Sequence, residues 1–414
     1  EAADDDATTD FYGWWGETPF LLPAGANIFG PPETLLTSDD LKTVAFETFA
    51  RLDPADLDYG VDVYTWGPAG YRLLSGGSAL ESPARLAGRD ALSGDGSSVV
   101  FSTREALLPE DTDDQLSLYW SDGSSVHYLV RDGIPRQEDE GWVLRDRPSV
   151  VGLAEDGRRV ILEMQPRLVT GNDGQWHPAV YEWSPDGSPQ LQELGSGTVA
   201  TAIGNPTVYP RAVSDDASTV LIRQAEDWRL GLIFRSVDGD VQPVYPSRPQ
   251  MRMHLNSASD DLSALAIDTG AALDPKDLNG ALDTYLLAGG TATWLTRQSG
   301  ESDDGRRASV VWLSPEGDEA LFYTKSPLLP ADRDKRGVDF YRFVDGKLRL
   351  LSPGKRFPDR QTREYPGTVR ASANGAWIYF TSTASLLPGD PAETLDIYRL
   401  SRNGKLELMP APKS

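Results

Sequence analysis

Residues 91–130 read ALSGDGSSVVFSTREALLPEDTDDQLSLYWSDGSSVHYLV, and the punctuation of this stretch decides the fold. A polar tight-turn group, Ser93-Gly94-Asp95-Gly96, leads into the apolar run Val99-Val100-Phe101. A loop rich in proline and aspartate follows, then a second run that ends at Tyr119-Trp120. An Asp122-Gly123 pair returns the chain into Val126 to Val130. Short β-branched and aromatic runs bounded by Gly, Asp and Ser read as strands, and Asp-Gly between two of them reads as a hairpin turn. The stretch is one small antiparallel sheet.

The same plan recurs along the chain. A turn of the form Ser-x-Asp/Glu/Asn, or a close variant, stands at Ser38-Asp39-Asp40, Ser93-Gly94-Asp95, Ala154-Glu155-Asp156, Ser214-Asp215-Asp216, Ser259-Asp260-Asp261, Ser314-Pro315-Glu316 and Ser372-Ala373-Asn374. Eight residues after the first member of each comes a large apolar residue: Phe46, Phe101, Leu162, Ile222, Ile267, Phe322 and Phe380. A second anchor follows in the next run, at Tyr64, Tyr119, Tyr181, Phe234, Tyr285, Tyr341 and Tyr398. Only the fourth unit is short, with Asp227-Trp228-Arg229 where its siblings carry a long loop. One half-apolar sheet cannot bury both faces, but a series of sheets packed on one another can. The pattern predicts an all-β fold, a seven-bladed β-propeller of four-stranded antiparallel blades over residues 34–414, with the anchors in the core between blades. Residues 1–33 fit no unit. They predict an extended arm, acidic at first and then aromatic, that packs on its own domain as an added outer strand or docks on a neighbouring molecule.

Ser314-Pro315-Glu316-Gly317, followed by Leu321-Phe322 and Asp339-Phe340-Tyr341, resembles the WD40-like repeat of TolB-type propellers. Phe322 to Tyr341 also resembles a longer variant of secreted bacterial propellers, with a Leu-Leu-Pro-x-Asp loop before the third strand. The resemblance extends from Thr34 onward and concerns architecture. It implies a scaffold for binding. The separate amino-terminal domain of TolB has no counterpart in these residues, so the resemblance does not extend to TolB function.

Composition narrows the partners. The 414 residues carry a formal net charge of −24. Such a chain repels nucleic-acid phosphates and anionic membrane surfaces, and cations suit it better. No apolar run approaches the ~18 residues of a membrane helix, so no membrane insertion is expected. Cysteine is absent, which removes disulfides, thiolate metal sites and thiol nucleophiles. The opening EAADDDATTD reads as an end exposed by processing, which removal of a secretory signal or simple trimming would explain, and a secreted or cell-surface location is the expectation.

In a propeller, the loops between second and third strands share one face with the connections between blades. The other face here has tight turns: Asp122-Gly123, Asp186-Gly187, Asp238-Gly239, Asp345-Gly346 and Asn403-Gly404. The elaborate segments, such as 131–147, 296–307 and 352–365, all fall on the first face, which makes it the expected working surface. Its candidate partner-binding residues are Arg145, Arg147, Trp176, His177, Arg306, Arg307, Arg356 and Arg360, joined by Trp14 and Trp15 of the arm. The partner is a protein or a polysaccharide, or a second copy held through the arm. The arginines suit a carboxylate or sulfate, or pair with the loop aspartates.

Those aspartates are the clearest chemical signal. Asp56, Asp58 and Asp62 in the first unit, and Asp277, Asn279 and Asp283 in the fifth, offer oxygen side chains on short loops, as calcium requires. The alternative is that such residues bond their own backbone in Asx turns. No other cofactor is implied. The three histidines form no metal-ligand spacing, and neither a nucleophile elbow nor a phosphate-cradling loop is present. No catalytic residue is assigned. A carbohydrate-active hydrolase or lyase could still draw two acid–base groups from different blades, with His177 beside Asp173 or His254 beside Arg252 as first candidates. The leading expectation is a non-enzymatic propeller that binds a macromolecule. A self-assembling surface or filament subunit is the alternative to it.

Overall fold

The computed structural model describes residues 11–15, 18–22, 35–76, 83–88, 90–112, 116–130, 149–164, 179–185, 192–194, 208–224, 231–237, 240–278, 280–297, 307–332, 338–352, 368–388 and 395–409. Among the described residues all regular structure is β. Strands β1 (Phe11–Trp15) and β2 (Thr18–Leu22) form a hairpin in the arm, paired from Phe11↔Leu22 to Trp15↔Thr18. They make a separate two-stranded sheet; neither is an outer strand of a blade.

Seven four-stranded antiparallel sheets follow, each with its strands in chain order. Blade one is β3 (Leu35–Thr37), β4 (Val44–Thr48), β5 (Asp62–Gly67) and β6 (Gly70–Leu73). Blade two is β7 (Arg85–Leu86), β8 (Val99–Thr103), β9 (Ser117–Ser121) and β10 (Val126–Val130). Blade three is β11 (Ser149–Leu153), β12 (Val160–Met164), β13 (Ala179–Trp183) and β14 (Gln192–Leu194). Blade four is β15 (Val208–Val213), β16 (Thr219–Gln224), β17 (Leu232–Val237) and β18 (Asp240–Pro243). Blade five is β19 (His254–Ala258), β20 (Ala264–Thr269), β21 (Asp283–Ala288) and β22 (Thr291–Trp294). Blade six is β23 (Ser309–Leu313), β24 (Glu319–Thr324), β25 (Asp339–Val344) and β26 (Lys347–Leu350). Blade seven is β27 (Val369–Ala371), β28 (Trp377–Ser382), β29 (Asp396–Ser401) and β30 (Leu406–Leu408). This is the seven-bladed β-propeller class that the repeat predicts.

Two compact units divide the chain. One comprises Glu1–Gln224, Phe234–Gln242 and Pro412–Ser414; the other comprises Ala225–Ile233 and Pro243–Ala411. Within the first, the cores of blades one and two, two and three, and three and four are shared. Within the second, blades five and six share a core, as do six and seven. First strands touch first strands, β11 with β15, β19 with β23 and β23 with β27, so the first strand is innermost.

The two sequence anchors are cross-strand partners. Phe46 pairs with Tyr64, Phe101 with Tyr119, Leu162 with Tyr181, Ile267 with Tyr285, Phe322 with Tyr341 and Phe380 with Tyr398. Where both are aromatic the rings stack, as at Phe322–Tyr341, 5.6 Å apart and 16° from parallel. All the anchors are buried. Where both anchors are aromatic, each pair buries two large rings in the core of its blade.

The Ser-x-Asp turns have a definite job. Ser38, Ser93, Ser214 and Ser259 each donate a hydroxyl hydrogen bond to the aspartate two residues on, at 2.6–2.9 Å. At Ser314 the partner is Asp318, not the Glu316 of the sequence pattern. Three residues after the start of each turn the backbone enters the left-handed region: Leu41, Gly96, Gly157, Ala217, Leu262, Gly317 and Gly375, with φ from 54° to 73°. The turns also join one blade to the next. Asp39 N–H donates to Gly94, Asp95 N–H to Glu155 and Glu155 N–H to Asp215, at 2.7–3.0 Å.

Candidate functional site

The loops between second and third strands are built by one recurring bond. The Tyr64 hydroxyl donates to Asp56 Oδ2 at 2.6 Å, and that of Tyr341 to Asp332 Oδ2 at 2.5 Å. Tyr119 and Tyr285 make the same bond to Asp111 and Asp277. The hydroxyl also accepts a loop N–H, from Leu52, Leu107 and Leu328 in blades one, two and six. Burial and then the carboxylate bond hold these phenols protonated, well above the ordinary tyrosine value. In blade seven the Tyr398 hydroxyl donates to the Ala384 carbonyl at 3.0 Å.

A second tether closes the same end. Ser75, Thr296 and Ser352 donate hydroxyl hydrogen bonds to Asp62, Asp283 and Asp339, the first residues of β5, β21 and β25. Each hydroxyl in turn accepts the N–H of the following residue, Val63, Thr284 or Phe340. Asp56, Asp62, Asp277 and Asp283 are therefore buried structural acceptors, whatever else they hold.

Pulling an aspartate inward turns its neighbour outward. Leu57 follows Asp56 and is 68% exposed; Leu278 follows Asp277 and is 90% exposed. Phe49 and Tyr59 are also exposed on the blade-one loop, and Leu395 on the blade-seven loop. Of eight exposed large apolar side chains among the described residues, five thus lie on these loops. Arg51 braces the first of them: its guanidinium donates to the Asp58 and Leu57 carbonyls at 2.5 and 2.9 Å and lies 4.0 Å over the Tyr59 ring.

Asp56, Asp58 and Asp62, singled out as metal ligands from sequence, do come together, with one carboxylate oxygen of each within 4.8 Å of the other two. Burial, opposed by the Ser75 bond and aided by Asp56 and Asp58, pushes the Asp62 carboxyl up to about 6. Glu105 of blade two is buried too; burial and then the charges of Asp58, Asp62 and Asp56 push it up to about 8. Asn279, the third donor of the blade-five set, lies outside the described residues. So do Arg145, Arg147, Trp176, His177, Asp173, Arg306, Arg356 and Arg360. Trp14 and Trp15 are placed in β1 by backbone only.

Arg307 is placed. It lines a cavity of about 500 Å³ along the inner strands of blades five to seven, with His254, Asn256, Asp268, Tyr323 and Arg370. Asn256 sits at a bulge in β19, a feature that re-aims a side chain. Its amide donates to Asp268 and to the Ala308 carbonyl, and its oxygen accepts the Val310 N–H. His254 Nδ1 lies 3.8 Å from Asp268 Oδ2, so the histidine's acidic neighbour is Asp268. Burial raises the Asp268 carboxyl, against hydrogen bonds from Thr284 and Asn256 and the charges of Arg307 and His254. Sequence reading missed Asp268 because it lies on a strand next to His254, fourteen positions along the chain.

No protein-family model and no curated protein matches the sequence. Among solved structures, the chain is similar to a prolyl endopeptidase (TM-score 0.47, 14% identity), covering 91% of this chain and 49% of that one, so it spans about half that enzyme's length. It is also similar to the β-propeller domain of the Trilobed protease from Pyrococcus furiosus (TM-score 0.41, 10% identity, 91% and 97% covered). A third is a protein designated TolB from Agrobacterium tumefaciens (TM-score 0.33, 14% identity, 69% and 84% covered).

Proposed function

We propose that this propeller is a non-enzymatic scaffold that binds a macromolecular partner, a protein, through the loops between second and third strands. The observation that supports this most is the display of Leu57 and Leu278, each set out in water by a tethered aspartate behind it. Leucines and aromatics on braced loops offer apolar contact at little ordering cost, which is what the centre of a protein interface uses. The net charge of −24 favours a partner with a basic rim.

Photo-crosslinking tests it. Benzoylphenylalanine placed at Leu57 or Leu278 should give a protease-sensitive adduct with one macromolecule from the source cells or their medium. The same group at Ser124, on a tight turn, or at Lys347, the strand residue that follows one, should give none. Adducts from the turns alone would refute the reading, and an adduct resistant to protease but cut by glycosidases would replace the protein with a polysaccharide.

A second reading, a carbohydrate-active hydrolase or lyase, is supported by His254 and Asp268 facing one cavity with Arg307 and Arg370. It requires new reducing ends from a polysaccharide panel, lost in His254→Ala.

A further inference from the structure

In this acidic chain carboxylates claim arginines in several blades. Arg85 is paired with Glu47, Arg159 with Glu182, Arg342 with Glu319 and Arg399 with Glu407, at 2.6–2.8 Å. Arg307 and Arg370 differ. Both are exposed, and both line the cavity of about 500 Å³ along the inner strands of blades five to seven. Among the described residues, the Arg307 side chain makes no hydrogen bond or ion pair, and that of Arg370 donates only to the Val369 carbonyl, at 3.0 Å. Asp268, the carboxylate of the same cavity, is held elsewhere. Its Oδ1 accepts the Thr284 hydroxyl at 2.7 Å and the Asn256 amide at 3.2 Å, and its Oδ2 faces His254.

A guanidinium carries five N–H donors in a planar fork that matches a carboxylate in two-point contact. The cavity also has apolar lining, from Val310, Val311 and Val369. Its volume falls in the range of small-molecule sites, which combine apolar walls with a few convergent polar groups. We propose that this cavity binds a small organic carboxylate, its anionic end held by Arg307 and Arg370 and its carbon body against the valines. Asp268 makes a phosphate dianion the poorer fit, since its own charge repels a doubly charged ligand more than a singly charged one. The site is the cavity of the second reading above, but binding there requires no turnover, so the inference stands apart from that reading.

Calorimetry on the full chain with acetate, hexanoate and benzoate, each compared with its neutral amide, tests the site. At least one carboxylate should bind saturably, one per chain, and its amide should bind about tenfold more weakly or worse. Arg307→Gln and Arg370→Gln should each weaken that carboxylate by about tenfold or more. Both side chains are exposed, so these variants should keep the parent's melting temperature. Arg349→Gln, on the fourth strand of blade six, should bind as the parent does. No saturable binding of any of the three acids, equal binding of acid and amide, tighter binding of inorganic phosphate, or unchanged binding in either cavity variant would overturn the proposal. Carboxylate binding without new reducing ends would support the site and refute only the second reading.

Discussion

Tyr64 and Asp56 lie eight residues apart and close a loop on themselves: the phenol donates to Oδ2 at 2.6 Å while its ring stacks on Phe46, 6.0 Å away. One side chain thus joins the apolar core of blade one to the conformation of its longest described loop. The same bond recurs in blades two, five and six. It links packing to display, since the residue after the aspartate is the one presented in blades one and five.

Tyr64→Phe keeps the ring and its stacking but removes the donor. Asp56, 7% exposed, then has a buried acceptor without its partner. The expected loss is about 1–3 kcal/mol in urea unfolding, together with faster proteolysis within 49–61. An unchanged midpoint and cleavage rate would mean that the tether does nothing.

Two glycines with similar backbone separate strain from crowding. Gly346, φ 70°, has no atom within 4 Å of where a Cβ would sit, so Gly346→Ala should cost only the left-handed strain, about 1 kcal/mol. Gly96, φ 73°, would place that carbon 2.5 Å from Thr43 Oγ1 of blade one. Gly96→Ala should cost about 1–3 kcal/mol beyond that. Equal losses would show that the turns of neighbouring blades are not packed as described.

Asp122 gives a pH signature. Burial acts against its charge, but the N–H and hydroxyl groups of Ser124 and Ser125 outweigh it and hold the carboxyl down to about 2. A carboxylate depressed in the folded state adds stability that is fully present above its ordinary value of 3.8 and is lost as pH falls through about 2. Asp122→Asn should therefore be less stable than the parent at neutral pH, with the gap closing near pH 2. A gap that is constant with pH would contradict the assignment.

Much of this was legible in the chain. Phe46, Phe101 and their equivalents stand in constant register because a strand repeats every two residues and one face must be buried. Asp56, Asp58 and Asp62 were readable as a group because they share one loop. What joins separate segments was not readable. Glu105 looks like any loop glutamate until the fold buries it. Asn256, Asp268 and His254 meet only through a bulge and strand pairing. Leu41, Ala217 and Leu262 give no glycine signal, yet they take the left-handed position that Gly96 fills elsewhere. The tyrosine–aspartate tether shows in the sequence as a spacing of eight or nine residues, but its chemistry, a phenol donating to a carboxylate, is set by how the loop folds back over the strand.

The most direct test of the central claim is hydrogen exchange on the propeller alone and in complex with the cross-linked partner. The loops at 49–60 and 271–278 should gain protection, while the tight turns at 122–125 and 344–347 exchange as in the free protein. Protection of the turns, with the loops unchanged, would contradict the account.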